Sequence, residues 1–533
     1  MKKKLNIDFI ISLVITLILI VFILYPFLKV LKESFFVDGI FSMDNYKEVI
    51  KDKKLILNTF KMGILSAIIA TVFAVIVSIF QFLQNQKIKK ILSIVFAICI
   101  ISPPFVSGLS YISLFGRRGL ISYGLLGLHI DPYGMWGIVL MQALSDLALN
   151  VLILNGFLKN INRDIINASR SLKATTTNII IDIIIPIIKN GIIAVFVISF
   201  FRSVSDFSTP AIIGGNFKVL ALESYFEVIA KGNLNKASAM NVFILVPTLV
   251  LFLLSRNIVR NKNQEKIYNG DVNIKRSGIL YYLISLFAII LIAFLIVIYI
   301  SIIIGAFSKK SAGNLIFSLD NFKDTKYFIK DVSLRSIGYA VVASLVASFL
   351  GLLVSYLTAI KKIRMMKFSD LLSNLPYIIP GTFFGLGYLL AFRSGILAMT
   401  GTFIIVILNM LFKQMPFTTR IFNASMNDID KNVLNSIRDL GGRGIHEIKD
   451  GIVPMNLESL KISLINTFNA SMTTVGSIIF LIYPQRKVLT MVMFDVINSA
   501  KYNVGSVIAF EIIILCLLFN LLVQIIFNRL IRR

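Results

Sequence analysis

Twelve apolar stretches, each roughly 20 residues long, constrain this chain more than any other feature, because a helix of about that length crosses the ~30 Å hydrocarbon core of a bilayer. They cover residues 7–28, 62–82, 91–115, 135–157, 191–207 and 237–254, then 278–307, 337–360, 371–392, 396–412, 460–482 and 504–527. Lipid offers the backbone no hydrogen-bonding partners, and a β-barrel would show weaker alternating segments. The expected fold is therefore an all-α integral membrane protein of about twelve transmembrane helices. The first stretch is too long for a secretory leader and lacks a small-residue cleavage pattern, so it reads as a retained span.

Composition agrees, since 57% of the 533 residues are hydrophobic and 15% are charged, against about a quarter charged in soluble domains. The formal charge of +27 is a topology signal. Counting spans alternately, one side receives Lys2, Lys3, Lys4, Lys87, Lys89 and Lys90, then the basic stretch with Arg256, Arg260, Lys262, Lys266, Lys275 and Arg276. Lys361, Lys362, Arg364, Lys367, Arg529, Arg532 and Arg533 fall on the same side. The positive-inside rule makes that side the cytoplasm and puts both termini there, in a multi-pass protein of the cell membrane. Lys51, Lys53 and Lys54 fall on the other side, interspersed with Glu48 and Asp52. With no soluble basic domain, nucleic acid is excluded as a partner; membrane lipid is the partner this composition demands.

The chain is also a duplication. "FSMDNYK" at 41–47 recurs as "FSLDNFK" at 317–323, 276 positions on (317 − 41). "PPFVSGLSY", ending at Tyr111, answers to "PGTFFGLGY", ending at Tyr388, 277 positions on (388 − 111). Six spans per copy give both copies one orientation, hence two parallel six-helix repeats related by an axis along the membrane normal. The first repeat is 1–257, a basic cytoplasmic linker 258–277, and the second repeat 278–533.

After the fourth span of each copy stand "NASRSLKATTTNIIIDIIIP", Asn167 to Pro186, and "NSIRDLGGRGIHEIKDGIVP", Asn435 to Pro454. Both separations are 19 residues (186 − 167 and 454 − 435), with Arg170 and Arg438 in register. Polar residues followed by an amphipathic run predict a short helix, a turn at Gly441 and Gly442 in the second copy, and another short helix ended before the proline. Segments 160–190 and 428–458 would thus form two knobs that a soluble partner can grip.

These stretches resemble the cytoplasmic signature of the inner-membrane permeases of binding-protein-dependent ATP-binding cassette importers: EAA, three residues, Gly, nine residues, I-x-L-P. By position Asn167, Ala168 and Ser169 stand for E-A-A, with Ile184 and Pro186 closing the motif. The second copy supplies Asn435, Ser436, Ile437, Gly441, Ile452 and Pro454. Asn replaces Glu in both copies, and Lys173 occupies the glycine position in the first. The resemblance implies a transport subunit rather than an enzyme, with each signature seated in one of two ATP-binding cassette ATPase subunits that drive alternating access. It also implies an extracytoplasmic substrate-binding protein docking at outer loops around Asp44, Gly119 and Asp320. The chain has no G-x-x-x-x-G-K-[ST] loop, so ATP and Mg are expected on the partner ATPase and no cofactor on this chain.

The segments "ISPPFVSGLS" and "YIIPGTFFGLG" admit two readings: kinks packed through small residues, or broken backbone lining the pathway. On the second, Pro103, Pro104, Gly108, Pro380, Gly381 and Gly385 line it. Ionisable residues inside spans are costly, and Arg202 and Asp206, four apart, are expected to pair on one helix face. Asp146 and Glu511 would serve as proton carriers in a competing reading, an ion-coupled secondary transporter; a membrane scaffold without a transport cycle is a third. Cys99 and Cys516 lie in apolar stretches and His129 and His446 on opposite sides, so neither a disulfide framework nor a metal site is expected.

For cargo, "SPPFVSGLSYISLFGRRGLIS" and "LPYIIPGTFFGLGYLLAF" resemble the fused ferric-iron importer permeases, which favours ferric iron. Similar segments occur in permeases for 2-aminoethylphosphonate, polyamines or small oxyanions. Arg117 and Arg118 would suit an anion or an acidic face of the binding protein equally.

Overall fold

The computed structural model describes residues 7–37, 39–129, 131–259, 277–311, 314–439, 441 and 446–531. Most of the expected linker, 260–276, and Gly442 lie outside the described residues.

Among the described residues, eight helices are long and apolar enough to cross a membrane: Asp8–Phe35, Lys53–Phe82, Met135–Leu158, Thr176–Ser205, Leu234–Leu254, Ile279–Phe307, Val332–Ile360 and Tyr502–Leu530. Two further helix pairs raise the count to ten if each bent pair is one span: Gln86–Ile100 with Phe105–Leu125, bent by 102°, and Met366–Tyr377 with Gly381–Phe392, bent by 115°. Of the two readings of the segments at 91–115 and 371–392, these bends favour interrupted helices over mild kinks. Pro103, Pro104, Pro376 and Pro380 withhold backbone donors at the breaks, so the helical ladder cannot run through.

The other two expected spans differ in kind. Residues 396–412 begin in a turn, and the helix there, Phe403–Asn427, carries Lys413, Pro416 and Arg420. Residues 460–482 give a helix of 17 residues, Leu457–Thr473, followed by turns. Both still pack as their counterparts do: Val332–Ser355 contacts both, as Lys53–Phe82 contacts Met135–Leu158 and Ile185–Ser205.

The repeated DN(Y/F)K motif has a structural cause. In each half a short antiparallel hairpin, Phe36–Val37 with Ile40–Phe41 and Ser308–Ser311 with Asn314–Phe317, leads into a helix starting at Asp44 or Asp320. Ser42 and Ser318, two residues before, accept the backbone N–H of those aspartates at 3.0 and 3.1 Å and so satisfy a donor of the first helical turn. Asn321 then buries its amide against the carbonyls of Gly305, Ala306 and Ser308.

The first helix of each half lies on the other half, an exchange that periodicity does not reveal. Asp8–Phe35 packs along Gly381–Phe392: Tyr388 Oη donates to the Phe22 carbonyl at 2.8 Å, and the Phe22 ring stacks on Phe412 at 5.1 Å. Reciprocally, Ile279–Phe307 packs on Lys53–Phe82 and Phe105–Phe115; there Tyr299 Oη donates to the Cys99 carbonyl at 3.0 Å and Ser110 Oγ to the Ile298 carbonyl at 2.9 Å. The halves are interlocked.

Candidate functional site

The paired polar segments lie at one end of the bundle. In the first, the amphipathic helix Arg163–Ser171 is capped by Asn162 Oδ1, which accepts from Asp164 N at 2.8 Å. It exposes Asn167 and Ala168, half-buries Ser169 and points Ile166 inward. Lys173 then adopts a left-handed φ of 60°. In the second, Lys431–Asp439 exposes Asn435 and Ser436, half-buries Ile437, and is followed by Gly441 at φ 84°. Lys173 and Gly441 occupy one register (441 − 173 = 268, as 435 − 167 = 268), so the first copy keeps the glycine's backbone geometry without the glycine. Ile165 and Val433, also 268 apart, are exposed apolar side chains at matching places on the two knobs.

The second helix of each knob does not end before its proline, as the sequence suggested. Instead the chain widens into a π-helical turn, Ile179–Ile184 or Glu447–Ile452, and continues through Pro186 or Pro454. Ile185 N–H donates to Ile180 O and Val453 N–H to Ile448 O, five residues back in each case. This local π geometry lets the proline ride in a continuous helix. In the first half the helix runs from Thr176 to Ser205, joining knob to span rigidly.

The knobs rest on different seats. The first rests on apolar residues: Ile79, Leu83, Leu158, Ile161, Ile166, Ile179, Ile180, Ile184 and Ile188 form one buried cluster, flanked by Leu280 and Ile284 of the other half. The second is tied by charge. Glu447, 1% exposed, accepts from Lys361 Nζ at 2.8 Å, and Lys361 also reaches Asp8 of the first half at 3.5 Å. Burial would lower the Lys361 ammonium, but its hydrogen bonds to Glu447 and Tyr356 outweigh that and hold it above the ordinary lysine range. Sequence reasoning read Lys361 only as a topology marker; no periodic signal announces a buried carboxylate 86 residues away.

The broken spans bring the Pro/Gly residues against the turn that follows the fifth helix of the same half. Pro103 is buried and Pro104 exposed; a side chain at Gly108 would stand 3.1 Å from Ile212. Pro380 is buried, Gly381 approaches the Gly476 backbone, and a Cβ at Gly385 would lie 2.5 Å from the Ser477 carbonyl, so only glycine fits there. Lys413, missed in the sequence, donates to the Pro376 and Ile379 carbonyls at 2.8 and 2.7 Å and so satisfies acceptors freed by the break.

Arg202 does not pair with Asp206. Its Nε meets Asp146 Oδ1 on a neighbouring helix at 2.6 Å. Asp206 lies beyond the helix end in extended backbone, where it accepts from Ser208 N at 2.8 Å and Gln142 Nε2 at 3.0 Å. Asp146 is therefore bound to a cation, and Glu511 Oε1 accepts from Ser333 Oγ at 2.6 Å. His129 stacks edge-on with Tyr123, 5.3 Å between centroids.

A duplicated, interlocked helical bundle with matched knobs at one end and broken spans between the halves defines a membrane transport subunit. Residues 70–312 match the family described as binding-protein-dependent transport system inner membrane component. The chain is 28% identical over 543 residues to a ferric transport system permease protein, FbpB, of Actinobacillus pleuropneumoniae, covering 97% of this chain and 78% of that one. To the putative ferric transport system permease protein FbpB 1 of Haemophilus influenzae it is 29% identical over 503 residues, 90% of this chain and 79% of the relative. It is 24% identical over 212 residues to the spermidine/putrescine transport system permease protein PotC of Escherichia coli, 40% of this chain but 75% of the relative. Over most of its length the chain is thus similar to inner-membrane permease components of binding-protein-dependent transport systems.

Proposed function

We propose that this permease carries ferric iron inward, delivered by an extracytoplasmic substrate-binding protein and driven by two ATP-binding cassette ATPase subunits. The observation that carries the cargo assignment is coverage: both relatives named for ferric transport align along 90% or more of the chain. The polyamine relative aligns over less than half. ATP and Mg belong to the partner ATPases, which grip the knobs around Asn167, Ala168, Ser169, Lys173 and Pro186 and around Asn435, Ser436, Ile437, Gly441 and Pro454. Matching exposed apolar residues, Ile165 and Val433, support two equivalent docking points. Both termini and the linker 258–277 then face the cytoplasm, each repeat (1–257, 278–533) supplies one wall of the pathway, and Pro103, Pro104, Gly108, Pro380, Gly381 and Gly385 shape it.

Mechanically, closure of the ATPase pair moves the knobs, and the unbroken helix Thr176–Ser205 carries that displacement from the first knob across the membrane. To shift the bundle almost fully between orientations, nucleotide must favour one by about 5.5 kcal/mol. The test is ATP hydrolysis by the assembled importer in proteoliposomes, with binding protein loaded in turn with ferric iron, a polyamine, 2-aminoethylphosphonate and small oxyanions. Stimulation by ferric iron above the others is the expected result; stimulation by another cargo alone would reassign the substrate while keeping the importer.

A further inference from the structure

Three cations converge on one tyrosine at the break in the second half. Tyr377, 44% exposed, closes the first arm of the broken span, Met366–Tyr377. The Arg420 guanidinium covers its ring, 4.6 Å from the centroid, and Arg420 Nε donates to Asn374 Oδ1 at 3.0 Å. Lys413, about two turns earlier on the helix of Arg420, binds the Pro376 and Ile379 carbonyls on either side of the tyrosine. The third cation, Arg202, comes from the first half and lies within electrostatic range of Tyr377.

Exposure shows what these cations face. Arg202 and Arg420 are both exposed, Arg202 over 54% of its side chain, although each sits on a helix of the bundle. Lipid would penalise a guanidinium heavily, and Arg202 and Tyr377 belong to opposite halves, so the exposed surface borders a water-filled space between the halves. The carboxylates stand further back. Asp146 is 7% exposed behind Arg202, and Asp206 is occupied by Ser208 and Gln142. Asp370, nearer the knobs, accepts from Asn423 Nδ2 at 2.8 Å. Among the described residues Arg420 has no carboxylate partner, so the accessible charge at this level is positive.

The duplication does not require these charges. At the offset of 268 that relates the two knobs, Arg202 answers to Ala470 (470 − 202), Lys413 to Ser145 (413 − 145) and Arg420 to Leu152 (420 − 152). Asp146, the partner of Arg202, answers to Gln414 (414 − 146). The matched helices pack alike with and without them. Lys413 has a structural task at the break, whereas Arg202 and Arg420 have none that the repeat shares. What remains for them is whatever passes between the halves.

We infer that Arg202, Arg420 and Tyr377 form an oxyanion-binding station between the halves, and that ferric iron passes it as a complex of net negative charge. A guanidinium offers a planar fork of donors that matches two oxygens of a phosphate, carbonate or carboxylate, and the tyrosine hydroxyl adds another donor. A bare ferric ion would be repelled at the same place. The inference rests on the importer reading and refines its cargo.

The test is uptake by the complete importer in proteoliposomes, with binding protein loaded with radioactive ferric iron together with inorganic phosphate, carbonate or citrate, or with no oxyanion in chloride buffer. At least one labelled oxyanion is expected to enter with the iron, and iron uptake without any oxyanion should fall about tenfold, the equivalent of one charge-assisted hydrogen bond. Arg420→Gln, and Arg202→Gln joined with Asp146→Asn so that no carboxylate is stranded, should each lower iron uptake by about the same factor, and Arg420→Lys should recover part of it. Variants are compared once they co-purify with the ATPases; the oxyanion dependence of the unmodified complex decides the matter without them. Equal iron uptake with and without oxyanions, or undiminished uptake by both glutamine variants, would overturn the station. Uptake of an oxyanion but never of iron would keep the station and overturn the ferric reading, whereas uptake of a polyamine alone would overturn both.

Discussion

The two knobs share register, backbone geometry and a π-helical exit, yet one rests on isoleucines and the other on a buried ion pair. Ile179 in the first corresponds to Glu447 in the second (447 − 179 = 268), and that exchange sets the difference. An apolar seat tolerates small sliding because its contacts are non-directional. A charge seat fixes one geometry, since a displaced Glu447 would be left buried without its cation. Lys361 also binds Asp8, on the helix that crosses to the opposite half, so the second knob is tied to that half by charge where the first meets it through Leu280 and Ile284. The two matched segments thus share a backbone path but differ in what seats them.

Lys361→Met breaks this comparison most severely. It strands Glu447 and should cost about 3–5 kcal/mol, read as a fall in apparent melting temperature of the purified chain, while Lys361→Met with Glu447→Leu recovers most of the loss. Lys361 is held above its ordinary range, so its contribution is complete below about pH 10.4 and fades only as pH climbs beyond. The stability gap between wild type and Lys361→Met should therefore hold on the alkaline side up to about pH 9 and narrow toward acid, where the stranded Glu447 takes up a proton; a gap that widens toward acid would remove the ion pair from the account. In the first seat, Ile184→Ala should cost roughly 2–4 kcal/mol with no dependence on salt or pH.

Smaller effects sharpen the matched turns. Gly441 has open space where a side chain would sit, so Gly441→Val is penalised through its left-handed backbone alone, by about 1–2 kcal/mol. That variant should insert normally yet hydrolyse ATP without matching uptake. Lys173→Gly relieves the same conformation in the first copy and should raise stability by up to about 1 kcal/mol, with uptake preserved; a loss of uptake would assign the lysine side chain a contact of its own.

The sequence carried much of this because bilayer physics is periodic and duplication is visible. Runs of apolar residues located the spans, and the spacing from Asn167 to Pro186 and from Asn435 to Pro454 located both knobs. What stayed hidden depended on contacts between distant segments. Lys361 and Glu447 meet across 86 positions, Tyr388 and Phe22 across 366, and neither pairing leaves a local trace. Arg202 misled for a related reason: four-residue spacing implies a helical pair only while the helix continues, and it stops before Asp206. The prolines misled too, because a π turn lets a helix pass Pro186 where an α-helical ladder would break.

The central claim is that the two knobs are where partner ATPases take hold on the cytoplasmic side. It is tested most directly by placing single cysteines at Ser169 and at Ser436 in a Cys99→Ser, Cys516→Ala background and labelling intact cells and inverted vesicles with a membrane-impermeant maleimide, with and without the ATPase subunits. Both cysteines should react only in inverted vesicles and lose that reactivity when the ATPases are bound. Labelling of either from the outside of intact cells, or labelling indifferent to the ATPases at both positions, would contradict the account.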